Sequence, residues 1–209
     1  MDAVNTFFGA YINFWTTYDH DSLLLFLDSM NDLEEALQEK HDLSLQVFAE
    51  YVPLDAIRTY WHNHKELRNT IVLAQSMDIP GVHTDLPYLC LIDELSLSKI
   101  INEIDEEYRE EDRQTINETV HYYGEIVNIG HILFNMTSLT MDKLLRHGIE
   151  GTSKGFNIAK EVIRCDPDIG KPITFSGWFE GEPGLVCAFL SHLYTKPKRM
   201  THGSMAFTP

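Results

Sequence analysis

Between Leu95 and Met136 the chain sets carboxylates at spacings that suit a divalent cation. Glu103, Glu106, Glu107 and Glu110 recur every three or four residues, which lines them along one side of a helix. Glu118, His121, Glu125 and Asn128 step by three, four and three, and so share one face of a second helix. A short polar turn between the two patterns makes the helices antiparallel neighbours, and their polar faces converge. Packed carboxylates repel one another, and hard cations relieve that repulsion. Mg²⁺ in particular takes carboxylate oxygens, keeps several waters and is commonly held together with substrate phosphates. The chemistry that fits such a spot is metal-assisted work on a phosphate group.

Each helix must bury an apolar stripe to hold that arrangement. Ile100, Ile104 and Tyr108 supply one, and Ile116, Val120, Tyr123, Val127 and Phe134 the other. The acidic run from Glu103 to Asp112 also reads as an ordinary solvated face, since blocks of like charge are usually surface. Glu125 and Asn128 fit that reading less well, because Ile126, Val127, Ile129, Ile132 and Leu133 surround them in sequence. Glu118-x-x-His121 matches the ligand spacing of di-iron helical bundles, but that architecture uses the motif twice and it occurs here once.

The segments Glu-Ile-Asp-Glu-Glu-Tyr-Arg-Glu (103–110) and Gly-Glu-Ile-Val-Asn-Ile-Gly-His-Ile-Leu-Phe-Asn-Met (124–136) resemble the all-α nucleoside triphosphate pyrophosphatases. That superfamily includes the dimeric dUTPases, the bacteriophage dCTPases and the MazG-like enzymes. Its pattern is Glu-x-x-Glu on one helix and Glu-x-x-Asp on the next. The matching positions are Glu107, Glu110, Glu125 and Asn128, which the resemblance makes the ligands of Mg²⁺ or Mn²⁺. Asn128 stands where the family has Asp; its carbonyl oxygen can reach a metal but carries no charge.

The same resemblance implies the remaining roles. Glu106 would act on the attacking water. The stretch 152–160, similar to a phosphate- and sugar-binding segment of the family, would contribute Lys154, Asn157 and Lys160, with Arg146 nearby. Asn31 and Gln38 on the first long helix would read the base, with Trp178 stacking on it. The implied reaction is hydrolysis of a deoxynucleoside triphosphate, dUTP or dCTP, to monophosphate and pyrophosphate by a homodimer. The resemblance spans about half of the chain. Two other readings stay open: a catalytically silent relative, and an acidic interaction or inhibitor protein that binds a protein partner.

The length favours one domain, and the resemblance implies an all-α helical bundle with an antiparallel metal-binding helix pair over 1–195, followed by a short irregular C-terminal segment and a basic tail at 196–209. The 209 residues are 44% hydrophobic and 23% charged, ordinary for a globular chain. The formal charge of −16 repels nucleic acid and favours cations, unless the surface mimics nucleic acid toward a DNA-binding partner. Cys90, Cys165 and Cys187 are odd in number and far apart, which reads as reduced core thiols of a cytoplasmic protein, or of a host cytoplasm if the source is viral. No stretch has the length of a membrane span, so no membrane partner is expected.

Along the rest of the chain, the expected helices cover residues 4–17, a second opening at Asp19 or Asp21, 43–51, 54–77, 141–147 and 153–164, with a last one at 185–194. The second carries the stripe Leu23, Phe26, Leu27, Met30, Leu33 and Leu37, with Asn31, Glu34, Glu35 and Gln38 on its solvated side. Thr140 and Thr152 are the expected caps of their helices, and Gly148 the expected stop. The apolar run 86–92 suits either helix or strand, because periodicity does not separate the two over so short a length.

Overall fold

The computed structural model describes residues 2–64, 71–75, 82–83, 88–103, 114, 118, 126–165 and 174–175. It is mostly helical: α1 (Asp2–Thr17), α2 (His20–His41), α3 (Tyr51–His64), α4 (Glu94–Glu103), α5 (Ile129–Arg146) and α6 (Lys154–Cys165). Between them run β1 (Val72–Gln75), β2 (Val82–His83), β3 (Tyr88–Asp93), β4 (Ile126–Asn128) and β5 (Thr174–Phe175). The strands form a small antiparallel sheet in the order β1-β3-β4 and a two-stranded β2-β5 pair.

The core is built around α1, which packs on α2 and α6. Phe7 stacks edge-on to Phe8 at 5.0 Å and lies 5.1 Å from Phe26 of α2, while Phe8 meets Phe156 of α6 edge-on at 5.0 Å. Helix α2 presents the expected stripe, with Leu23, Phe26, Leu27, Met30, Leu33 and Leu37 all buried. Each such side chain contributes roughly 1.5–3 kcal/mol by leaving water. Helix α6 comes close enough to α1 that a Cβ on Gly155 would lie 2.9 Å from the Gly9 Cα. Glycine is therefore required at 155, whereas a Cβ on Gly9 meets nothing within 4 Å.

Three consecutive residues make the turn from α1 into α2, and two of them also bond the backbone in and just before β1. Tyr18 ends α1 in the left-handed region (φ 52°), a costly conformation for an aromatic residue. Its hydroxyl lies 2.8 Å from both the amide and the carbonyl oxygen of Ala74 in β1, and against the carbonyl oxygen of Leu89 in β3. It accepts from the amide and donates to a carbonyl. Asp19 caps α2, its carboxylate accepting from the Ser22 amide at 2.7 Å, as expected. His20 Nε2 is 2.8 Å from the Ile71 carbonyl oxygen. Asp28 of α2 meets Arg58 at 3.0 Å and His62 at 2.7 Å on α3, a partly exposed set that contributes about 1 kcal/mol or less.

Several boundaries differ from the sequence reading. The helix expected over 54–77 ends at His64 in the described residues, and Val72–Gln75 is strand, paired Val72↔Leu91 through Gln75↔Tyr88. Residues 43–50 are irregular rather than helical, and Pro53 sits in the first turn of α3 instead of stopping a helix. A proline is tolerated there because first-turn amides have no intrahelical acceptor. Thr140 lies in mid-helix, since α5 runs unbroken from Ile129 to Arg146. Gly148 does terminate it: at φ 69°, with Gly148 N donating to Leu145 O and Ile149 N to Leu144 O, it forms the double-bonded glycine stop. Ser153, not Thr152, caps α6, accepting from the Phe156 amide at 3.1 Å. Thr152 N and Ser153 N instead donate to Asn5 Oδ1 of α1, each at 2.9 Å. The run 86–92 resolves as strand β3 from Tyr88 onward. The helix expected at 185–194 lies outside the described residues.

The two glycines of the α1–α6 contact give opposite expectations. Gly155→Ala drives a methyl group into the Gly9 backbone and should cost about 1–3 kcal/mol, whereas Gly9→Ala adds helix propensity and should gain roughly 0.5–1 kcal/mol. Urea unfolding of the two variants checks both signs.

Candidate functional site

Asn128 is where the sequence motif and the described structure meet. It closes β4, which pairs with β3 as Asp93↔Ile126, Ile92↔Val127 and Leu91↔Asn128. It also serves as the N-cap of α5 with extended backbone (φ −88°, ψ 100°). The run Ile126-Val127-Asn128-Ile129 is rich in β-branched residues, which favours strand up to the cap. The helix face proposed for Glu118, His121, Glu125 and Asn128 is therefore interrupted: Asn128 belongs to a strand end, and α5 begins after it. Gln114 and Glu118 are helical and joined at 2.9 Å across one turn.

The Asn128 side chain is 2% exposed. Its Oδ1 accepts from Cys90 N at 2.9 Å and from Gly130 N at 3.1 Å, tying β3 to the first turn of α5. Both lone-pair directions of that oxygen are thus committed to backbone amides. The metal-ligand positions Glu107, Glu110 and Glu125, and the proposed base Glu106, lie outside the described residues. So does Trp178. Among the described residues, no three His, Cys, Asp or Glu side chains gather where a cation could sit. The pairing of Asp93 with Ile126 sets the residue after Glu125 beside the start of α4, and α4 then carries the chain about 14 Å away over its length.

The remaining candidates are spread over the helices. Arg146 is exposed and paired with Asp142 at 2.8 Å. Lys154 and Asn157 are exposed on the first turns of α6. Lys160 is half-buried, 3.5 Å from Glu150 and 5.9 Å above the Phe156 ring. Asn31 donates to Glu35 at 3.0 Å and Gln38 to Glu34 at 2.6 Å, so both amides have partners on their own helix. Glu34, expected on the solvated side, is 3% exposed. Its carboxylate also accepts from Ser44 Oγ at 2.7 Å and from the Leu45 amide, pinning the irregular segment to α2. A buried carboxylate persists there because every oxygen is hydrogen-bonded.

A cluster that spacing alone did not reveal surrounds the start of α5. Asn128 Nδ2, His131 Nδ1 and Trp15 Nε1 are buried and have no hydrogen-bond partner. A buried donor or acceptor left unmade costs about 1–3 kcal/mol. Gly130 brings two of these side chains together: a Cβ there would lie 2.9 Å from Trp15 Cη2 and 3.1 Å from Asn128 Oδ1. Burial pushes the Tyr11 phenol above its ordinary range, and the Trp15 side chain beside it offsets part of that rise. Burial also pushes the Cys90 thiol well above the usual range, so it is an inert core residue. The only trace of this cluster in the sequence is a glycine and a histidine inside an apolar run.

Compared with protein-family models, with curated proteins and with solved structures, the chain has no significant match. No helix among the described residues is long and apolar enough to cross a membrane.

His131 generates a pH dependence. It is 2% exposed, and burial holds its imidazole down at about 4. An unfolded histidine titrates near 6.5, so between 6.5 and 4 the unfolded chain binds a proton that the folded chain refuses. The stabilisation is complete above pH 6.5 and is lost as pH falls toward 4. Between pH 7 and 4.5 the wild type should lose about 2–3 kcal/mol more than His131→Leu, as measured by urea unfolding at both pH values.

Proposed function

We propose that this chain is a divalent-metal-dependent pyrophosphohydrolase of a deoxynucleoside triphosphate, dUTP or dCTP. The observation that carries this reading is the acidic pattern Glu106, Glu107, Glu110 and Glu125, whose oxygens are the donor set that Mg²⁺ or Mn²⁺ prefers. Glu107, Glu110 and Glu125 hold the cation. Asn128, with its oxygen on two backbone amides, acts as the fixed anchor three residues after Glu125 rather than as a ligand. When bound, the cation screens phosphate oxygens and lowers the pKa of water. Glu106 orients the attacking water and takes its proton. Lys154, Lys160 and Arg146 offset charge on the departing pyrophosphate. Asn31, Gln38, Asn157 and Trp178 contact base and sugar, and the working unit is a homodimer in the cytoplasm.

A second reading has its own observation. Asp21, Leu25, Asp28, Asp32, Glu35 and Glu39 follow one another by four and three along α2, opposite its buried stripe. Asp21, Asp32, Glu35 and Glu39 are exposed, and so is Leu25 at 51%. The acidic line runs about 27 Å along the helix, a geometry that suits a basic, nucleic-acid-binding partner protein through a salt-sensitive contact.

Purified protein should release pyrophosphate from dUTP or dCTP only with Mg²⁺ or Mn²⁺, and Glu107→Gln or Glu125→Gln should lower the rate on the order of 10²-fold. No release from any nucleotide across a metal-replete panel overturns the hydrolase. The second reading expects D32N/E35Q/E39Q to weaken binding to a polyarginine peptide far more than the equal-charge control E118Q/E150Q/E161Q. Equal effects of the two triple variants reject it.

A further inference from the structure

Large apolar side chains that face solvent are few among the described residues: Leu25 at 51%, Val47 at 68% and Leu139 at 37% exposed. Their electrostatic settings differ. Leu25 lies in the acidic line of α2, between the exposed carboxylates Asp21 and Asp32. Val47 and Leu139 are joined through Lys143. That lysine, one turn after Leu139, holds its ammonium 5.4 Å above the Phe48 ring, so the exposed side of α5 and the irregular segment 43–50 meet there. The helix charges on this face are Asp142, Lys143 and Arg146, one carboxylate against two cations on a chain of net charge −16. Asp142 and Arg146 pair at 2.8 Å with side chains 58% and 75% exposed, so their attraction to each other is weak. The segment beside them is firmly held. Phe48 N donates to Leu45 O at 3.0 Å, and the buried Leu45 has its own amide on Glu34. Val47 is thus presented on a preset backbone, which lowers the ordering cost of a contact.

We propose that this face, Leu139, Asp142, Lys143 and Arg146 of α5 with Val47 and Phe48, binds the same face of a second copy of the chain about a two-fold axis. The charge pattern selects that partner. A two-fold contact sets residue i of one copy on residue j of the other, and the reverse. With the two α5 ends antiparallel, Asp142 meets Arg146 of the second copy and Arg146 meets its Asp142. Leu139 and Val47 leave water beside these cross-pairs. Two acidic chains repel over much of their surface, whereas here their approach brings opposite charges together. The α2 face fails as a self-contact, because it would set Asp21, Asp32, Glu35 and Glu39 against their own copies. The stripe from Leu139 to Arg146 covers only about 10 Å of helix, which suits a concentration-dependent dimer rather than an obligate one. The proposal deepens the homodimer of the hydrolase reading and rests on it only for two copies being the working unit. Arg146 is then committed to the contact, and Lys154 and Lys160 are left to meet the departing pyrophosphate.

Sedimentation velocity of the full chain over roughly a hundredfold range of concentration is the test. The wild type should pass from monomer to dimer, and Val47→Asp and Leu139→Asp should each weaken association about tenfold or more. Both side chains face solvent, so the variants keep their fold, which far-UV circular dichroism checks. Asp142→Arg leaves only cations on the helix stripe, and Arg146→Asp gives it two carboxylates. Each of these charge variants alone should stay monomeric, and an equimolar mixture of the two should form a heterodimer. A pair that acts only within its own helix gives no such restoration. A wild type that is monomeric throughout overturns the proposal. So does a dimer indifferent to Val47→Asp and Leu139→Asp, or a mixture that does not associate. Pyrophosphate release by the wild type separates the two readings. A dimer of this kind without nucleotide hydrolysis supports the face while removing the hydrolase, and hydrolysis by a chain that stays monomeric does the reverse.

Discussion

Two backbone amides, those of Cys90 and Gly130, converge in the interior where a strand ends and a helix begins, and both donate to the Asn128 carbonyl oxygen. Buried amides cannot be left unmade without a loss of about 1–3 kcal/mol each. A single side chain of the right length therefore decides how the sheet meets α5. Tyr18 does the equivalent work on the far strand, its hydroxyl set against the Ala74 backbone and the Leu89 carbonyl. The small sheet is thus clamped by polar side chains at two points, and its inward residues Leu73, Cys90, Ile92 and Val127 share one hydrophobic core with Phe7, Phe8, Phe26 and Phe156 of the helices.

Helices with long apolar stripes were legible in the sequence. The α2 stripe from Leu23 to Leu37 is buried as its spacing requires, and Asp19 and Gly148 mark ends for the reasons their chemistry gives. Short apolar runs were not. Ile71-Val72-Leu73-Ala74 and Ile126-Val127-Asn128-Ile129 fit a helical face as well as a strand, and only pairing with β3 separates the two. Caps near one another were also ambiguous, because Thr152 and Ser153 are chemically alike and the choice depends on Asn5 from α1 taking both amides. Glu34 could not be read as buried, since its partners Ser44 and Leu45 come from a segment that the sequence presents as helix.

For the site, the sequence pointed to Asn128 through an acidic motif, and the structure gives that residue a second reason to be asparagine. Asn is among the best helix caps, and at this depth a carboxylate would bring charge into the interior. Asparagine at 128 thus answers a need of the strand-to-helix junction. Trp15 and His131, far apart in sequence, could not be linked to it beforehand, because only the close approach at Gly130 joins Trp15 to the helix end. The acidic face of α2, with Asp21, Asp32, Glu35 and Glu39 exposed, carries part of the charge of −16 outward.

The most direct measurement is amide hydrogen exchange on the wild type and Asn128→Ala. If the side chain joins β3 to α5, the Cys90 and Gly130 amides lose protection together, and stability falls by about 2–3 kcal/mol through the lost cap and the orphaned amide. If both amides stay protected and stability is unchanged, the junction does not depend on Asn128.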